Sequence, residues 1–424
     1  MKHKQKKILV YADWINSKPP KLIGTLFTNP IRGKEVFSFE YCAEWLSYNF
    51  STILDPSLNL FSGPQYLTDN KNNFGMFLDS SPDRWGKMLM RRREAVLARQ
   101  ENRVERQLLE SDYLLGVFDK QRTGALRFKT NENESFLNDD KQFAIPPWAS
   151  LRDLEHASMQ IENKDITDDP EYVKWLNMLI MPGSSLGGAR PKAGVLDTKN
   201  NLWIAKFPSG NDEKDIGVWE MVVNELAQKA NINVAASKLI KLSDKYHTFL
   251  SKRFDRDDKG NRLHFSSAMA MLGYQDGANE QIGVSYLEIV EFLMEHGGNV
   301  DNDLEELWQR IVFNICVSNS DDHLRNHGFI LTGKGWVLSP AYDINPIEFA
   351  TGLSLNISEN DNSLNLELAK EAAPYFRLSA KKTNEIINNI LSFVKDWRKV
   401  ADKYDIPKSE QNKMKNAFRL KSSF

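Results

Sequence analysis

The sequence contains few of the features that identify a protein class at once. Of its 424 residues only two are cysteines, Cys42 and Cys316, which excludes a disulfide framework and a cysteine-rich zinc site and favours a reducing compartment. No apolar run approaches membrane-spanning length, and Asp13 interrupts the apolar stretch after the basic N-terminal residues too early for a signal peptide. The 55 Lys and Arg residues nearly balance 57 Asp and Glu, so overall charge gives no indication of nucleic-acid binding. We expect a cytoplasmic protein with no membrane segment.

The usual nucleotide-binding motifs are missing as well. There is no Walker A loop, and the His-Arg-Asp and Asp-Phe-Gly motifs of ordinary protein kinases are absent. The length suggests about two or three domains, and the apolar and charged fractions are those of an ordinary globular protein. Any function must therefore be inferred from the spacing of less common motifs.

The most informative stretch surrounds Asp321. An apolar helical pattern at residues 307–316 ends at a polar loop with Asp321 and Asn326, and a predicted hairpin at residues 328–338 precedes Asp343. In kinases one aspartate accepts the hydroxyl proton, while an asparagine five positions later and a second aspartate further on bind metal ions. Asp and Asn also favour plain turns, and the pair alone would more often be a capped polar loop. The position of Asp343 behind the hairpin favours the catalytic interpretation.

A glycine-rich stretch at residues 182–192 is the second motif. Its glycines permit close approach of the backbone and positive φ angles, and the N–H groups of such a loop can cradle phosphate oxygens. By itself this loop is more often an ordinary turn than a phosphate site.

The residues after this loop favour a phosphate site. A predicted hairpin at residues 192–207 places Lys206 near the end of an apolar strand, and a predicted helix at residues 217–230 carries Glu220. A glycine-rich loop, a strand lysine and a helix glutamate follow one another in the N-terminal lobe of kinases, where the lysine binds the α- and β-phosphates. Glu225 lies on the same helix, so Glu220 is assigned as the partner of Lys206 by position only.

The remaining stretches give weaker signals. Three predicted strands within residues 8–41 indicate a small β-rich module, and the Arg-rich helical pattern at residues 83–110 is typical of a solvated surface helix. Residues 381–424 contain 11 Lys or Arg against 5 Asp or Glu, a net of +6. A solvated helix at residues 386–400 is favoured there over a contact with DNA or an acidic partner.

Taken together, these motifs resemble those of the HipA family, bacterial serine/threonine kinases that are the toxin halves of toxin–antitoxin pairs. The similarity spans residues 184–343 in the family's order and extends to the β-rich pattern of the N-terminal module. The motifs are Ser184-Ser-Leu-Gly-Gly-Ala-Arg-Pro-Lys192, Ile204-Ala-Lys-Phe-Pro208, Arg253-Phe-Asp-Arg256, Asn319-Ser-Asp-Asp-His-Leu-Arg-Asn326 and Pro340-Ala-Tyr-Asp343.

The resemblance implies a role for each motif residue. Asp321 would be the general base, Asn326 and Asp343 would be Mg²⁺ ligands, and Lys206 would contact the ATP phosphates. The implied nucleotide-binding residues are Gly187, Gly188, Ala189, Arg190, Pro191, Lys192, Lys206, Lys252, Arg253, Phe254, His323, Asn326, Tyr342 and Asp343.

The resemblance also implies a regulatory serine. Ser185 matches a serine that family members autophosphorylate, and Ser184 is the adjacent alternative. A phosphate dianion in that loop would compete with the ATP phosphates and expel the loop, which suggests an off-switch.

The implied fold is of the α+β class. It is a two-lobed, protein-kinase-like (HipA-like) fold with a small β-rich N-terminal subdomain and a mostly helical C-terminal lobe. Residues 1–110 would form the N-terminal subdomain, residues 111–255 the nucleotide-binding lobe with connecting helices, and residues 256–424 the helical catalytic lobe. ATP and Mg²⁺ are the implied cofactors.

Partners follow from the same resemblance. Family members phosphorylate protein serines, with aminoacyl-tRNA synthetases among their targets, and a helix-turn-helix antitoxin of the HipB type neutralises them and binds operator DNA with them. Two alternatives stay open: a small-molecule or lipid kinase of the atypical branch, and a catalytically silent regulator that acts through its antitoxin and DNA. The presence of all the expected catalytic side chains argues against the second.

Overall fold

The computed structural model describes residues 5–14, 19–31, 33–47, 52–67, 71–162, 171–179 and 190–420. The chain forms two compact units, which are described separately below. The first unit comprises residues 1–210 and 253–266, and the second comprises residues 211–252 and 267–424.

The strands of the described residues, in chain order, are β1 (Lys6–Ala12), β2 (Lys21–Ile31), β3 (Lys34–Tyr41), β4 (Gln65–Tyr66), β5 (Leu126–Lys129), β6 (Lys192–Leu196), β7 (Leu202–Lys206), β8 (Ser237–Ile240), β9 (Thr248–Lys252), β10 (Phe265–Ser267), β11 (Gly328–Thr332) and β12 (Gly335–Leu338). The α-helices are α1 (Ala43–Ser47), α2 (Gly75–Asp79), α3 (Arg84–Gln100), α4 (Glu110–Gly116), α5 (Leu151–Glu162), α6 (Tyr172–Leu179), α7 (Ile216–Lys229), α8 (Ala268–Met271), α9 (Tyr286–His296), α10 (Val300–Val317), α11 (Leu366–Ala372), α12 (Ala380–Val394), α13 (Trp397–Lys403) and α14 (Lys408–Met414).

The first unit begins with a five-stranded antiparallel sheet in the order β4-β3-β2-β1-β5. Its core contains an aromatic cluster in which the Phe77 ring lies 5.8 Å from that of Phe39 and 6.0 Å from that of Phe128. Gly24 of β2 is required here, because a Cβ atom at this position would lie 2.1 Å from the Glu40 carbonyl oxygen of β3. Close pairing of these two strands therefore depends on the missing side chain.

The first unit also contains the hairpin β6–β7. The two strands are antiparallel, with Lys192 opposite Lys206. The central residues of each strand are buried. The Phe207 N–H donates to the Pro191 carbonyl at 2.9 Å, so pairing continues past the strand ends. The predicted hairpin at residues 192–207 is confirmed.

The second unit is mostly helical and is built around α10. The buried face of this helix includes Leu304, Leu307, Trp308 and Ile311, because apolar residues recur every three or four positions and turn to the same side. The hairpin β11–β12 follows and pairs Phe329 with Leu338. The predicted helix-loop-hairpin order around Asp321 is confirmed.

Two predicted helices are wrong in extent. The pattern at residues 83–110 is divided, because α3 ends at Gln100 and Asn102 takes a left-handed conformation with φ of +54° that interrupts the helix. The helix predicted at residues 386–400 is divided between α12 and α13, although its apolar periodicity continues through both.

The boundary predicted at residue 110 can be compared with the sheet. Strand β5 pairs with β1 and lies beyond residue 110, so the N-terminal sheet extends past that boundary. The three-part division of the chain stays a prediction. In the part of the chain that the structure describes, no helix is both long enough and apolar enough to cross a bilayer.

Candidate active site

The loop that carries Asp321 is fixed where it leaves α10. Ser318 adopts a left-handed conformation with φ of +52°, which ends the helix, and the Asn319 N–H donates to the Asn314 carbonyl at 2.9 Å. The Asn319 Oδ1 atom accepts from the Asn345 N–H at 3.2 Å. The loop and the segment after Asp343 are therefore tied together at their bases.

Asp321 is the most accessible acid of this loop. Its side chain is 71% exposed, and its Oδ1 atom lies 3.9 Å from His323 Nε2, beyond hydrogen-bond distance. The pKa of Asp321 is raised, first by partial loss of hydration and then by the negative charges of Asp343 and Asp322, against the opposing charge of His323. An accessible carboxylate with a raised pKa suits a general base better than an ordinary aspartate.

The side-chain amide of Asn326 has two distinct roles: its nitrogen holds the loop backbone, and its oxygen is available to a ligand. Its Nδ2 atom donates to the Asp321 carbonyl at 2.8 Å, which fixes the backbone of the candidate base. Its Oδ1 atom is buried and has no hydrogen-bond partner among the described residues. A buried acceptor without a partner is costly, so this oxygen is suited to a ligand.

Asp343 follows the hairpin and is half-buried. Its φ of +58° is uncommon outside glycine and tolerated by aspartate, and it sets the direction in which the side chain leaves the backbone. The Asn345 Nδ2 atom donates to Asp343 Oδ1 at 3.2 Å. The hairpin itself is held by Asp303, whose Oδ2 atom accepts from the Leu338 N–H at 3.1 Å.

These oxygens fit a magnesium ion. Mg²⁺ prefers oxygen ligands and is usually bound by one or two carboxylates while keeping several waters. Asn326 Oδ1, which is buried without a partner among the described residues, and the half-buried Asp343 carboxylate would provide such a sparse oxygen set. Among the described residues, no cluster of three or more His, Cys, Asp or Glu could hold a metal, so an alternative all-protein cage is not found there.

His323 and Tyr342 lie in the same part of the second unit. The Nδ1 atom of His323 is buried without a hydrogen-bond partner among the described residues. Tyr342 donates its hydroxyl to the Arg325 carbonyl at 2.7 Å, which connects the segment before Asp343 to the loop.

A buried polar cluster behind the loop was missed by sequence reasoning. Asp322 is 4% exposed, and its Oδ2 atom is 2.5 Å from the Tyr286 hydroxyl, 2.7 Å from Asn314 Nδ2 and 2.8 Å from His327 Nε2. Burial raises the pKa of Asp322, but the His327 ring and the other donors outweigh it, so the pKa is lowered. Polar residues inside otherwise apolar helical patterns, such as Asn314 in α10, were the available signal.

The residues of the first unit that are expected to bind the nucleotide have side chains that are only partly accessible to solvent. Lys206 is half-buried. Lys192 is 3% exposed, and its Nζ atom lies 2.8 Å from Asp83 Oδ2, the carboxylate that also caps α3. Because the Lys192 ammonium is committed to Asp83, a phosphate contact at this position would come from its backbone.

Arg253 belongs to a group of buried charges that we call the hinge network, comprising Asp119, Arg253, Asp255, Arg256 and Arg262. Its guanidinium donates to Asp255 Oδ1 at 2.8 Å and also bonds the Gln121 carbonyl. Arg253 is 4% exposed. A nucleotide contact at this residue would therefore also use the main chain.

The other expected residues are placed as follows. In the first unit, Phe254 is half-buried with its ring 5.8 Å from that of Phe265. In the second unit, Lys252 is half-buried and donates its N–H to the Ala236 carbonyl at 2.7 Å, while Glu220 is 4% exposed.

The glycine-rich loop can be described only at its end. Ser184, Ser185, Gly187, Gly188 and Ala189 lie outside the described residues. Arg190 is half-buried and Pro191 is buried where the description resumes.

Much of the basic charge in the C-terminal segment is used within the second unit. Lys382 pairs with Glu305 at 2.8 Å, and Lys403 pairs with Glu225 at 2.7 Å. Arg419 Nη2 donates to the Ala350 carbonyl at 2.8 Å. These contacts favour the interpretation of this segment as a solvated, internally paired surface.

Comparison with known proteins identifies the family of the chain and similar solved folds. The HipA-like C-terminal domain family matches residues 184–397. A Haemophilus influenzae protein named "Putative kinase" is 26% identical over an alignment of 179 residues that covers 38% of this chain and 52% of that protein. The chain therefore spans about half the length of this curated relative.

Two solved structures are similar. The HipA of Shewanella oneidensis MR-1, solved with HipB and operator DNA, has 18% identity and a TM-score of 0.63, with 97% of this chain and 94% of that chain covered. The Helicobacter pylori proinflammatory kinase CtkA has 12% identity and a TM-score of 0.36, with 53% of this chain and 92% of that chain covered. The chain has an α+β, kinase-like fold and belongs to the HipA-like C-terminal domain family.

Proposed function

We propose that this protein is a Mg²⁺- and ATP-dependent serine/threonine protein kinase of the HipA type. The observation that carries the proposal is the pairing of an exposed acid with an oriented amide. Asp321 is open to solvent, and Asn326 fixes the Asp321 backbone while its own Oδ1 atom has no partner among the described residues. This is the chemistry that phosphoryl transfer requires of the chain, because the protein's role is mainly positioning and charge stabilisation.

In this mechanism Asp321 accepts the proton of the attacking hydroxyl. A raised pKa makes the Asp321 carboxylate a better proton acceptor near neutral pH. Asn326 and Asp343 would bind Mg²⁺, which supplies charge neutralisation at the phosphates. Asp322 has a positioning role, because its buried hydrogen bonds fix the residue next to the base.

Most of the remaining nucleotide contacts are assigned to residues of the first unit. Lys206 would contact the phosphates, residues 187–192 would approach them through backbone N–H groups, and residues 252–254 would contact adenine through their main chain. Ser185 would be the autophosphorylated serine, with Ser184 as the neighbouring candidate. A phosphate there would compete with ATP for the loop.

The partners are proposed by analogy with the Shewanella HipA, whose solved structure contains HipB and operator DNA. We expect a HipB-like helix-turn-helix antitoxin, with DNA bound through that complex. The acceptor would be a protein serine, and an aminoacyl-tRNA synthetase is one candidate. A cytoplasmic location stays a prediction.

Intact-mass spectrometry tests the proposal directly. Dephosphorylated protein is incubated with Mg²⁺ and ATP beside the Asp321→Asn and Ser185→Ala variants. We expect wild-type protein to gain one phosphate and neither variant to gain it. Peptide mapping of the wild-type product then distinguishes Ser185 from Ser184.

Two other results would change the assignment. A phosphate on Ser185→Ala but not on Asp321→Asn would support the kinase assignment and show that a residue other than Ser185 is phosphorylated. No phosphate on any of the three, with no transfer to added protein, would favour a small-molecule kinase or a silent regulator.

A further inference from the structure

Several large apolar side chains of the second unit are exposed to solvent. Among its described residues, the large apolar side chains that are strongly exposed are Ile282, Met294, Phe349, Tyr375 and Leu420. Three of them, Ile282, Phe349 and Leu420, lie on segments tied to the start of the Asp321 loop. We call these three residues the apolar rim.

Phe349 is the most exposed member of the rim, at 75%. Its backbone is held on both sides, since the Ile347 N–H donates to the Ser318 carbonyl at 3.1 Å and Arg419 Nη2 donates to the Ala350 carbonyl at 2.8 Å. Phe349 is therefore a large apolar side chain that an anchored backbone presents to water.

Leu420 is presented from the C-terminal segment. It is 41% exposed. The preceding residue, Arg419, donates its N–H to the Cys316 carbonyl at 2.8 Å and its Nε atom to Ser318 Oγ at 3.1 Å. The C-terminal segment therefore places Leu420 beside the end of α10.

Ile282 reaches the loop through one intermediate. It is 67% exposed, and Glu280 in the same turn donates its N–H to the Ser354 carbonyl at 2.9 Å. Ser354 in turn donates its hydroxyl to the Ser320 carbonyl at 2.7 Å. Ser320 immediately precedes Asp321, so this branch of the rim is anchored beside the candidate base.

The chain connections limit how far Phe349 can lie from Asp321. One residue lies between Phe349 and Ile347, one hydrogen bond joins Ile347 to Ser318, and two residues lie between Ser318 and Asp321. The two Cα atoms are therefore at most about 25 Å apart, which about seven extended residues of a bound peptide would span.

The exposure of Asp321 indicates what kind of acceptor approaches it. Small-molecule sites are concave and enclose most of the ligand, whereas the Asp321 side chain is 71% exposed. An acceptor that reaches Asp321 and also contacts Phe349 would have to be an extended molecule such as a polypeptide. Glu348, next to Phe349, adds a negative charge that suits a basic residue in the same polypeptide.

We propose that the apolar rim is the docking surface for the acceptor polypeptide, and that Phe349 selects a large apolar side chain within about seven residues of the phosphorylated hydroxyl. This inference rests on the proposed kinase function and adds its substrate class: a serine- or threonine-containing segment with a nearby apolar residue.

Positional-scanning peptides with one central serine and seven variable positions on each side test this inference. They are incubated with the full chain, Mg²⁺ and labelled ATP. We expect wild-type protein to prefer a large apolar residue at one position, and Phe349→Ala to reduce that preference about tenfold. Phe349→Glu should shift the preference toward Lys or Arg.

The control is Tyr375→Ala, because Tyr375 is also an exposed aromatic residue, at 55%, and lies outside the rim. It should keep the wild-type preference, and all variants should keep the wild-type KM for ATP and the phosphate on their own serine.

The outcomes separate the two proposals. Peptide transfer without an apolar preference, or a preference that survives Phe349→Ala, overturns the docking inference and leaves the kinase in place. Transfer to the protein's own serine but to no peptide also overturns the docking inference. Absence of transfer to peptides and to the protein itself instead overturns the proposed function.

Discussion

The hinge network of the first unit and the Asp321 loop of the second unit both concentrate charge, but they use it differently. In the hinge network Asp255 accepts from Arg253 at 2.8 Å, from Arg256 at 2.9 Å and from the Gly124 N–H at 2.8 Å. In the Asp321 loop the candidate base has His323 3.9 Å away. One region satisfies its charges internally, and the other leaves a carboxylate accessible.

The pKa shifts follow the same division. Burial raises the pKa of Asp255, but Arg253 and Arg256 outweigh it and the pKa is strongly lowered. The pKa of Asp321 is raised instead, because hydration is partly lost and neighbouring acids oppose its charge. A charge whose partners are complete is committed to the fold, whereas a charge with incomplete partners remains able to take up a proton or bind a ligand.

The largest expected effect is on catalysis. Asp321→Asn should lower the turnover by about 10²- to 10⁴-fold, the range for loss of a general base. ATP affinity and thermal stability should change little, because the side chain is 71% exposed. Single-turnover phosphotransfer and calorimetric ATP binding measure the two quantities. Wild-type turnover in this variant would remove Asp321 as the base.

The next effect is on the stability of the first unit. Asp255→Ala should destabilise it by about 3–5 kcal/mol, because it leaves buried arginines without their anion. Urea unfolding followed by hydrogen exchange in residues 119–124 is the measurement. Asp258→Ala, an exposed acid of the same segment, is the matched control and should have a much smaller effect. Equal destabilisation by the two substitutions would show that burial of the charge network does not cause the loss of stability.

A smaller effect is expected behind the Asp321 loop. Asp322→Asn removes a charged acceptor of three hydrogen bonds and should destabilise the second unit by about 1.5–3 kcal/mol at neutral pH. Because the folded-state pKa of Asp322 is lowered, the wild-type advantage is complete above the ordinary value of 3.8 and is lost as the pH falls below it. Unfolding curves at several pH values measure the difference. An advantage that grows on acidification would contradict the assignment.

The smallest effect has the opposite sign. Burial raises the pKa of Asp303 to about 6 from 3.8, so ionisation destabilises the fold increasingly as the pH rises through that interval. Asp303→Asn keeps an acceptor for the Leu338 N–H without the charge. The free energy of unfolding of Asp303→Asn should exceed that of the wild type by on the order of 1 kcal/mol above pH 6, and the two should be equal below the unfolded-state pKa of Asp303. A gain that does not change with pH would show that the charge is not its cause.

Much of the fold could be predicted from local pattern. The hairpins at residues 192–207 and 328–338 were predicted because short apolar runs flank turn residues. The helix boundaries near residues 102 and 396 were not predicted, because apolar periodicity does not reveal a single residue that leaves the helical conformation.

The sequence by itself determined the order of the motifs and the chemical types at Asp321, Asn326 and Asp343, because spacing and residue identity are local properties. Only the tertiary structure decided which polar groups are satisfied. It placed Lys192 against Asp83 across 109 positions of sequence, and it surrounded Asp322 with donors from α9 and α10. Partners so distant in the chain meet only through packing, and packing therefore determines which charges stabilise the fold and which remain available for chemistry.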